Sequence, residues 1–221
     1  MFPDSEDLST FERGHAFADL YDAKIAAESC KNCPLWRRAT QTVFGEGPVP
    51  ASLVLVGEQP GDQEDLKGRP FVGPAGKLLD SALERAGLDR ALAYVTNAVK
   101  HFKWEPLGNR RLHKKPTTRE IAACRPWLLS ELALVRPRVV VSLGATATTS
   151  LLGNDVRVIA NRGQFFESDY APHVLVTVHP SVILRSQDAE TRKLEFDGFV
   201  EDLRKVTKLL HQDSSENCKL K

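Results

Sequence analysis

The chain has 221 residues, of which 42% are hydrophobic, and its formal net charge at pH 7 is +1. This length fits one globular domain with modest additions, and the net charge argues against a uniformly basic nucleic-acid binder. The longest apolar runs are only a few residues, which excludes a membrane-spanning helix. The acidic start at 1–7 lacks the features of a signal peptide, so we predict a cytoplasmic protein without membrane partners.

The predicted elements alternate between helices and strands along the chain. In chain order they are helix 17–29, strand 52–57, helix 75–86, strand 93–99, helix 117–135, strand 138–144, a short helix, strand 174–178 and helix 190–210. This alternation predicts a three-layer α/β/α fold with a central, mostly parallel, four-stranded sheet. We predict a single domain over 1–211 and a polar, disordered tail over 212–221.

The loop between the first strand and the next helix, Gly57–Gly76, contains acids, an aromatic residue and several glycines. A strand that leads into a Gly/Pro-rich loop and then a helix is where open α/β sheets build ligand sites. Glu58, Asn97 and His179 each lie at or just past the end of a predicted strand. Because the carboxyl ends of parallel strands meet at one crevice, we expect these three side chains to form a single site.

Cations are concentrated in 100–119, where the only acid is Glu105. They are Lys100, Lys103, Arg110, Arg111, Lys114, Lys115 and Arg119. A local cluster of this kind is typical of a surface that binds phosphates.

Cys30 and Cys33 form a C-x-x-C pair, and Cys124 lies on a predicted helix. A structural disulfide is disfavoured in an intracellular protein. Ordinary thiols, half of a zinc site and an iron–sulfur site all remain open, since zinc and iron–sulfur clusters both bind thiolates.

These motifs together resemble the uracil-DNA glycosylase superfamily, in particular its iron–sulfur family 4 and the related UdgX branch. The matching residues are Gly57–Gly61, Gly68–Gly73, Asn97, Asn109–His113, His179–Ser181 and the three cysteines. The resemblance implies a protein that flips uracil out of single-stranded or double-stranded DNA and releases it as the free base. We predict a monomer by default, since the sequence contains no signal for an oligomer.

The resemblance also implies roles for the side chains at the strand ends. Phe71 stacks on uracil, Asn97 reads the O4 and N3–H groups together, and His179 hydrogen-bonds O2. Because an adjacent carboxylate stabilises positive charge on the sugar, we predict Glu58 in this role, with Asp62 and Asp65 as weaker candidates. Gln59 and Asp62 complete the predicted uracil site. Gln59 stands where family 4 has a small residue, and this favours the UdgX branch.

A [4Fe–4S] cluster on Cys30, Cys33 and Cys124 is a further implication of the resemblance. Family 4 has a fourth cysteine close to the position of His101. Imidazole replaces thiolate on iron in some clusters, so we predict His101 as the fourth ligand, with Cys218 as the alternative. We expect the cluster to have a structural role.

The stretch Asn109–His113 resembles the UdgX loop, whose histidine attacks the sugar in place of water. We therefore predict that His113 forms a covalent bond to C1′, that the protein acts once, and that Arg110, Arg111 and Lys114 contact DNA phosphates. The alternatives are a glycosylase that turns over with water, a non-enzymatic iron–sulfur module that binds nucleic acid, and a nucleotide hydrolase whose acidic run 62–65 binds Mg²⁺.

Overall fold

A computed structural model describes residues 17–219, with side chains as far as Gln212. The helices are α1 Leu20–Glu28, α2 Asp62–Lys67, α3 Pro74–Ala86, α4 Thr118–Val135, α5 Ala145–Leu152, α6 Val158–Asn161, α7 Pro180–Leu184 and α8 Ala189–Lys219. The strands are β1 Leu53–Gly57, β2 Ala93–Asn97, β3 Trp104–Leu107, β4 Arg110–His113, β5 Val139–Leu143, β6 Phe165–Ser168 and β7 Ala171–Thr177.

The central sheet has five strands in the order β2-β1-β5-β7-β6. The first four strands are mutually parallel, and β6 pairs with β7 in the antiparallel sense. The predicted three-layer α/β fold is therefore confirmed, with one strand more than the predicted four. The additional strand β6 lies at the edge and is only partly buried, so it lacks the continuous apolar run that marks a central parallel strand.

The hydrophobic core lies on both faces of this sheet. Along β1, Leu53 and Leu55 belong to one core cluster together with α3 and α8, whereas Val54 and Val56 belong to a second cluster together with α4 and α5. Successive side chains of a strand point to opposite faces. A central strand covered by helices on both faces must therefore be apolar at every position, as β1 is.

A second, two-stranded sheet lies within the segment 100–116, which the sequence predicts to be a loop. Strands β3 and β4 form an antiparallel hairpin in which Trp104 pairs with His113. Its turn contains Gly108 with a φ of 57°, a backbone conformation that glycine adopts without strain. His113 is therefore held by a paired strand and not by an irregular loop.

Two other segments differ from the predicted boundaries. The acidic run is helical as α2, and α8 continues to Lys219, across most of the segment predicted to be a disordered tail. The domain boundary at 211 itself stays a prediction. Over residues 17–219, no helix is long and apolar enough to cross a membrane.

Candidate active site

The three predicted strand ends converge. Gly57 at the end of β1 pairs with Asn97 at the end of β2, and a Cβ on Gly57 would lie 2.4 Å from Asn97 Oδ1 and 2.6 Å from Phe71 Cζ. The rings of Phe71 and His179 have centroids 6.3 Å apart. Glu58 directly follows Gly57 in the chain. The structure thus brings the end of β1, Phe71, Asn97 and His179 together at one edge of the sheet.

The Asn97 amide is a polar group of this pocket that is open to a ligand, since neither of its atoms is among the fully buried unpaired side-chain atoms of the described residues. Asn97 is only 3% exposed. Within residues 17–219, its side chain forms no hydrogen bond to another residue. Buried amides are ordinarily hydrogen-bonded, because an unpaired one costs about 1–3 kcal/mol. An amide that offers one donor and one acceptor side by side is suited to the polar edge of a planar ring.

Phe71 is held in a strained backbone conformation. Its φ is 56°, in the left-handed region that bulky residues rarely adopt, and its side chain is 7% exposed. Gly76 packs so closely that an added Cβ would lie 1.7 Å from the Phe71 carbonyl oxygen. Strain of this kind costs about 1–3 kcal/mol and concentrates at ligand sites, so the loop fixes the Phe71 ring as a wall of the pocket.

We expect Gly57→Ala to abolish most activity at this pocket, because the new Cβ would overlap both Asn97 and Phe71. A displacement of about 1 Å at a reacting group can reduce a rate about 100-fold, and we expect a loss of that size in base release. Gly198→Ala is the matched control, since its Cβ would meet only the end of the Arg162 side chain. Equal activity of the two variants would refute this description of the pocket.

His179 is a neutral donor. Its Nδ1 accepts the backbone N–H of Ser181 at 3.1 Å, and a backbone N–H can only donate, so the ring proton lies on Nε2. Burial, and to a smaller extent the charges of His113 and Arg185, lowers the pKa of His179 to about 4. The imidazole therefore stays uncharged near neutral pH and offers one N–H to a ligand.

The depressed pKa of His179 predicts that acid destabilises the fold. The unfolded chain, with a pKa near 6.5, binds more protons than the folded chain between about pH 4 and pH 6.5. The free energy of unfolding should therefore fall as the pH drops through this range, by about 3 kcal/mol from His179. Urea unfolding of wild type and His179→Asn at pH 7 and pH 4.5 measures this. An equal loss in both proteins would contradict the assignment.

Gln59 determines the tautomer of His113. The Gln59 side chain is oriented by the backbone, because its Oε1 accepts from the Lys103 N–H at 3.1 Å and its Nε2 donates to the Lys114 carbonyl at 3.0 Å. The same Nε2 lies 2.9 Å from His113 Nε2. Since the amide nitrogen can only donate, His113 Nε2 is the acceptor and carries a lone pair. Partial burial lowers the pKa of His113, although Glu58 raises it, so the ring is neutral.

Glu58 lies between His113 and the end of β5. Its Oε2 accepts a hydrogen bond from Thr146 Oγ at 2.5 Å, and its Oε1 lies 3.5 Å from His113 Nε2. Because Nε2 carries the lone pair, Glu58 does not accept a proton from it in this state. The carboxylate is instead placed to stabilise positive charge that develops at or beside the ring. The sequence analysis did not identify Thr146 as a site residue. The signal that could have found it is its position two residues after Gly144, at the end of the predicted strand 138–144.

Arg111 fixes the hairpin to α2. Its guanidinium donates to Asp62 Oδ1 and Asp65 Oδ2, both at 2.6 Å, and stacks over Phe102 and Trp104. Residues two apart on a strand share a face, so this anchor also directs His113 towards Glu58. Arg111 and Asp62 bind one another in the structure, and their predicted contacts with phosphate and uracil, respectively, stay predictions.

Other members of the predicted basic cluster are also paired inside the protein. Lys100 is 1% exposed and binds Glu131, while Lys103 binds Glu120. Arg110 and Lys115 are exposed, and Lys114 is partly exposed. The surface available to phosphate is therefore smaller than the sequence indicates. Arg185, an exposed cation that was not predicted, lowers the pKa of both His113 and His179 and so lies near them.

Lys100 and Glu131 form a buried ion pair behind the pocket. Lys100 Nζ donates to Glu131 Oε2 at 2.5 Å, to Thr96 Oγ at 2.6 Å and to the Asn97 carbonyl at 2.7 Å. Glu131 also accepts from the Gly45 N–H and from Tyr94. The lysine thus holds the backbone of the residue whose amide lies unpaired in the pocket.

The three cysteines lie in one small apolar cluster with Trp127. Burial, with a smaller contribution from Cys30 and Cys33 and against the lowering effect of Lys100, raises the pKa of Cys124 to about 12. The Lys100 N–H donates to Cys124 Sγ at 3.1 Å, and Trp127 Nε1 donates to Cys30 Sγ at 3.2 Å. Within residues 17–219 no group of three or more potential ligands is arranged around a single ion. N–H donors aimed at sulfur fit thiolates bound to iron, whose charge they stabilise.

His101 lies beside this cluster with one ring nitrogen free for a ligand. Its Nε2 lies 2.9 Å from Thr42 Oγ, and that hydroxyl donates its only proton to the Ala27 carbonyl at 3.0 Å. His101 Nε2 must therefore be the donor, which leaves the lone pair on Nδ1. A histidine that ligates a metal typically donates its other N–H in this way. Cys218, the alternative fourth ligand, lies outside the residues with described side chains.

Comparisons with known proteins agree with this geometry. A sequence model of the uracil DNA glycosylase superfamily matches residues 44–204. The chain is 37% identical to the type-4 uracil-DNA glycosylase of Thermotoga maritima over 84% of this chain and 92% of that protein. It is 34% identical to the type-4 enzyme of Pyrobaculum aerophilum over 76% and 85% of the two chains. It is 32% identical to the type-5 enzyme of Thermus thermophilus over 80% and 82%.

Proposed function

This chain belongs to the uracil DNA glycosylase superfamily, and from that premise we propose that it excises uracil from DNA and then attaches itself to the abasic site through His113. The observation that carries the covalent step is the neutral His113 ring, whose Nε2 lone pair lies 3.5 Å from a Glu58 oxygen. A nucleophile and an adjacent carboxylate are what attack on a cationic sugar requires. We infer on the same grounds that the chain belongs to the UdgX branch.

Uracil recognition follows from the pocket. Phe71 provides the stacking face, and the unpaired Asn97 amide accepts the N3–H and donates to O4 of uracil. Cytosine has its donor and acceptor reversed at these two positions, so it would leave the buried amide unpaired, which costs about 1–3 kcal/mol. His179 donates its Nε2–H to uracil O2.

Cleavage of the bond between the sugar and uracil produces a positive sugar and a negative base. His179 stabilises the base, and Glu58 stabilises the sugar. The C1′–N1 bond breaks, and its electron pair leaves with uracil, whose negative charge is stabilised by the His179 N–H. The sugar becomes an oxocarbenium ion, which the Glu58 carboxylate stabilises. Neutral His179 suits this role because its single proton is fixed on Nε2 by the Ser181 N–H.

His113 then completes the reaction. Its Nε2 lone pair forms the bond to C1′, the ring becomes an imidazolium that keeps its Nδ1 proton, and Glu58 balances the new positive charge. Gln59 donates to this same lone pair in the free protein, so it must release Nε2 when DNA enters. The resulting bond occupies the face of C1′ that water would attack, and the protein therefore acts once.

We also propose that Cys30, Cys33, Cys124 and His101 hold a [4Fe–4S] cluster, with His101 bound through Nδ1. The cluster would supply covalent cross-links between α1, α4 and the segment that follows β2. Four ligands on four irons stand further apart than the ligands of one ion, so the lack of a single-ion site among residues 17–219 is compatible with it.

The alternatives have less support. Asp62 and Asp65 bind Arg111, and Glu64 accepts the Gly73 N–H at 2.9 Å, so the acidic run is engaged within the protein and is poorly suited to Mg²⁺. A purely DNA-binding module would have no need for an unpaired buried amide at Asn97. A water-dependent glycosylase differs only in the fate of the sugar.

The stoichiometry of uracil release tests the proposal. Single-stranded DNA with a single uracil is supplied in large excess over the protein, and released uracil is counted in the presence of EDTA. We expect a burst of about one uracil per protein molecule and then a plateau, the kinetic sign of a trapped covalent intermediate. Continued release would establish the water-dependent alternative, and uracil release that persists in EDTA excludes the Mg²⁺-dependent hydrolase.

A further inference from the structure

A groove of about 510 Å³ lies between α3, α7 and the start of α8. Its lining combines cations with apolar side chains, chiefly Lys77, Arg192, Lys193, Leu78, Leu184 and Phe196. Nothing in the excision chemistry uses these residues. The combination matches single-stranded nucleic acid, which offers phosphates to cations and bases to apolar surfaces.

The charge of the groove favours an anionic occupant. No acidic residue lines it, and Lys77 and Lys193 form no ion pair within residues 17–212, where side chains are described. Hydrogen bonds from Thr191 lower the pKa of Asp188, and nearby Arg192 acts in the same direction, but Asp188 is not part of the lining. An exposed groove with two uncompensated lysines and an apolar floor therefore attracts phosphate and offers a surface to a base.

Helix α7 connects the groove to the active site. The residue before the helix is His179 in the pocket, and the residue after it is Arg185, which acts electrostatically on both His113 and His179. Ile183 and Leu184 of the same helix line the groove. A five-residue helix is about 7–8 Å long, so the groove begins within about one helix length of the pocket.

We propose that this groove binds the one or two nucleotides next to the excised uridine on the same DNA strand. Their phosphates contact Lys77, Arg192 and Lys193, and a base packs against Leu184 and Phe196. Arg185 holds the phosphate between the pocket and the groove. This inference rests on the proposed function and adds to it a binding site for the flanking strand.

The salt dependence of binding tests the groove without any uracil chemistry. Affinity for a uracil-free single-stranded oligonucleotide is measured by fluorescence anisotropy at several salt concentrations. Each lost phosphate contact lowers the slope of log affinity against log salt by about 0.7. We expect Lys77→Ala/Lys193→Ala to lower it by about 1.4. The control, Lys24→Ala/Lys208→Ala, removes two exposed lysines outside the groove and should change it little. Equal slopes for both double variants would overturn the proposal.

Flank-dependent excision is the second measurement. Short oligonucleotides carry uridine at one end, with three or more nucleotides only on its 5′ side or only on its 3′ side. We expect one flank to accelerate uracil release about tenfold in wild type, in line with stacking of one base, and the groove variant to lose that gain. A variant that keeps the full gain would contradict the groove. A wild type that releases no uracil at all would refute the proposed function, and the binding measurement would still decide the groove.

Discussion

His113→Ser is expected to remove the covalent protein–DNA product completely while uracil release continues. The serine lacks the imidazole lone pair, but Glu58, Asn97, His179 and Phe71 remain to flip the base and stabilise the separated charges. The first uracil should be released at close to the wild-type rate, because the C1′–N1 bond breaks before His113 attacks and Glu58 and His179 stabilise the separated charges without it. Water can then enter the vacated space, so more than one uracil per protein should accumulate over time. A denaturing gel and a count of released uracil measure the two effects.

His211→Ser is the matched control for this experiment. His211 is exposed on α8. Its replacement by serine removes one imidazole, as His113→Ser does, but at a position outside the site. It should form the covalent product at the wild-type rate. A covalent product that survives in His113→Ser would identify another nucleophile, and the assignment of His113 would then be wrong.

Removal of Glu131 is expected to cause the largest loss of stability. Glu131 is completely buried and pairs with Lys100, which is 1% exposed. Deletion of one member of a buried ion pair leaves the other charge unpaired and costs about 3–5 kcal/mol. For a chain of this size, that corresponds to a decrease of about 10 °C in Tm. Thermal unfolding of Glu131→Ala, followed by circular dichroism, measures it.

Two comparisons separate the buried charge from ordinary packing. Lys100→Met/Glu131→Leu removes both charges and should recover part of the loss, because a buried pair replaced by apolar residues is often neutral, whereas the Gly45 N–H and the Tyr94 hydroxyl lose their acceptor. Glu105→Ala breaks the exposed pair with Lys114 and should cost less than about 1 kcal/mol. A double variant as unstable as Glu131→Ala would show that shape, and not charge, dominates at this site.

The position of the pocket could be predicted from the sequence, because ligand sites in open parallel sheets lie at the carboxyl ends of the strands. Glu58, Asn97 and His179 each follow an apolar run, and the ends of such runs meet at one edge of the sheet. The β1 core residues were equally clear, since both faces of a central strand are covered. In both cases, burial of a central strand between two layers of helices explains the apolar run in the sequence and also the position of the strand in the fold.

The hairpin that contains His113 could not be predicted from the sequence, because residues far away in the chain stabilise it. Its strands are short and charged, without the alternation of a half-buried strand, and its anchor is the bond of Arg111 to Asp62 and Asp65. Likewise, Lys100 was predicted to be part of a basic surface, but its partner Glu131 lies 31 residues further on, in helix α4. Charge counted along a chain does not reveal which charges neutralise one another in space.

The central claim is a bond between His113 Nε2 and C1′ of the abasic site, and peptide mass spectrometry tests it most directly. The protein is incubated with uracil-containing single-stranded DNA, denatured, treated with nuclease and digested with protease. We predict that a deoxyribose remnant is found on the peptide containing His113 and that fragmentation places it on that histidine. A protein that has released uracil but carries no remnant, or carries it on another residue, would contradict the account.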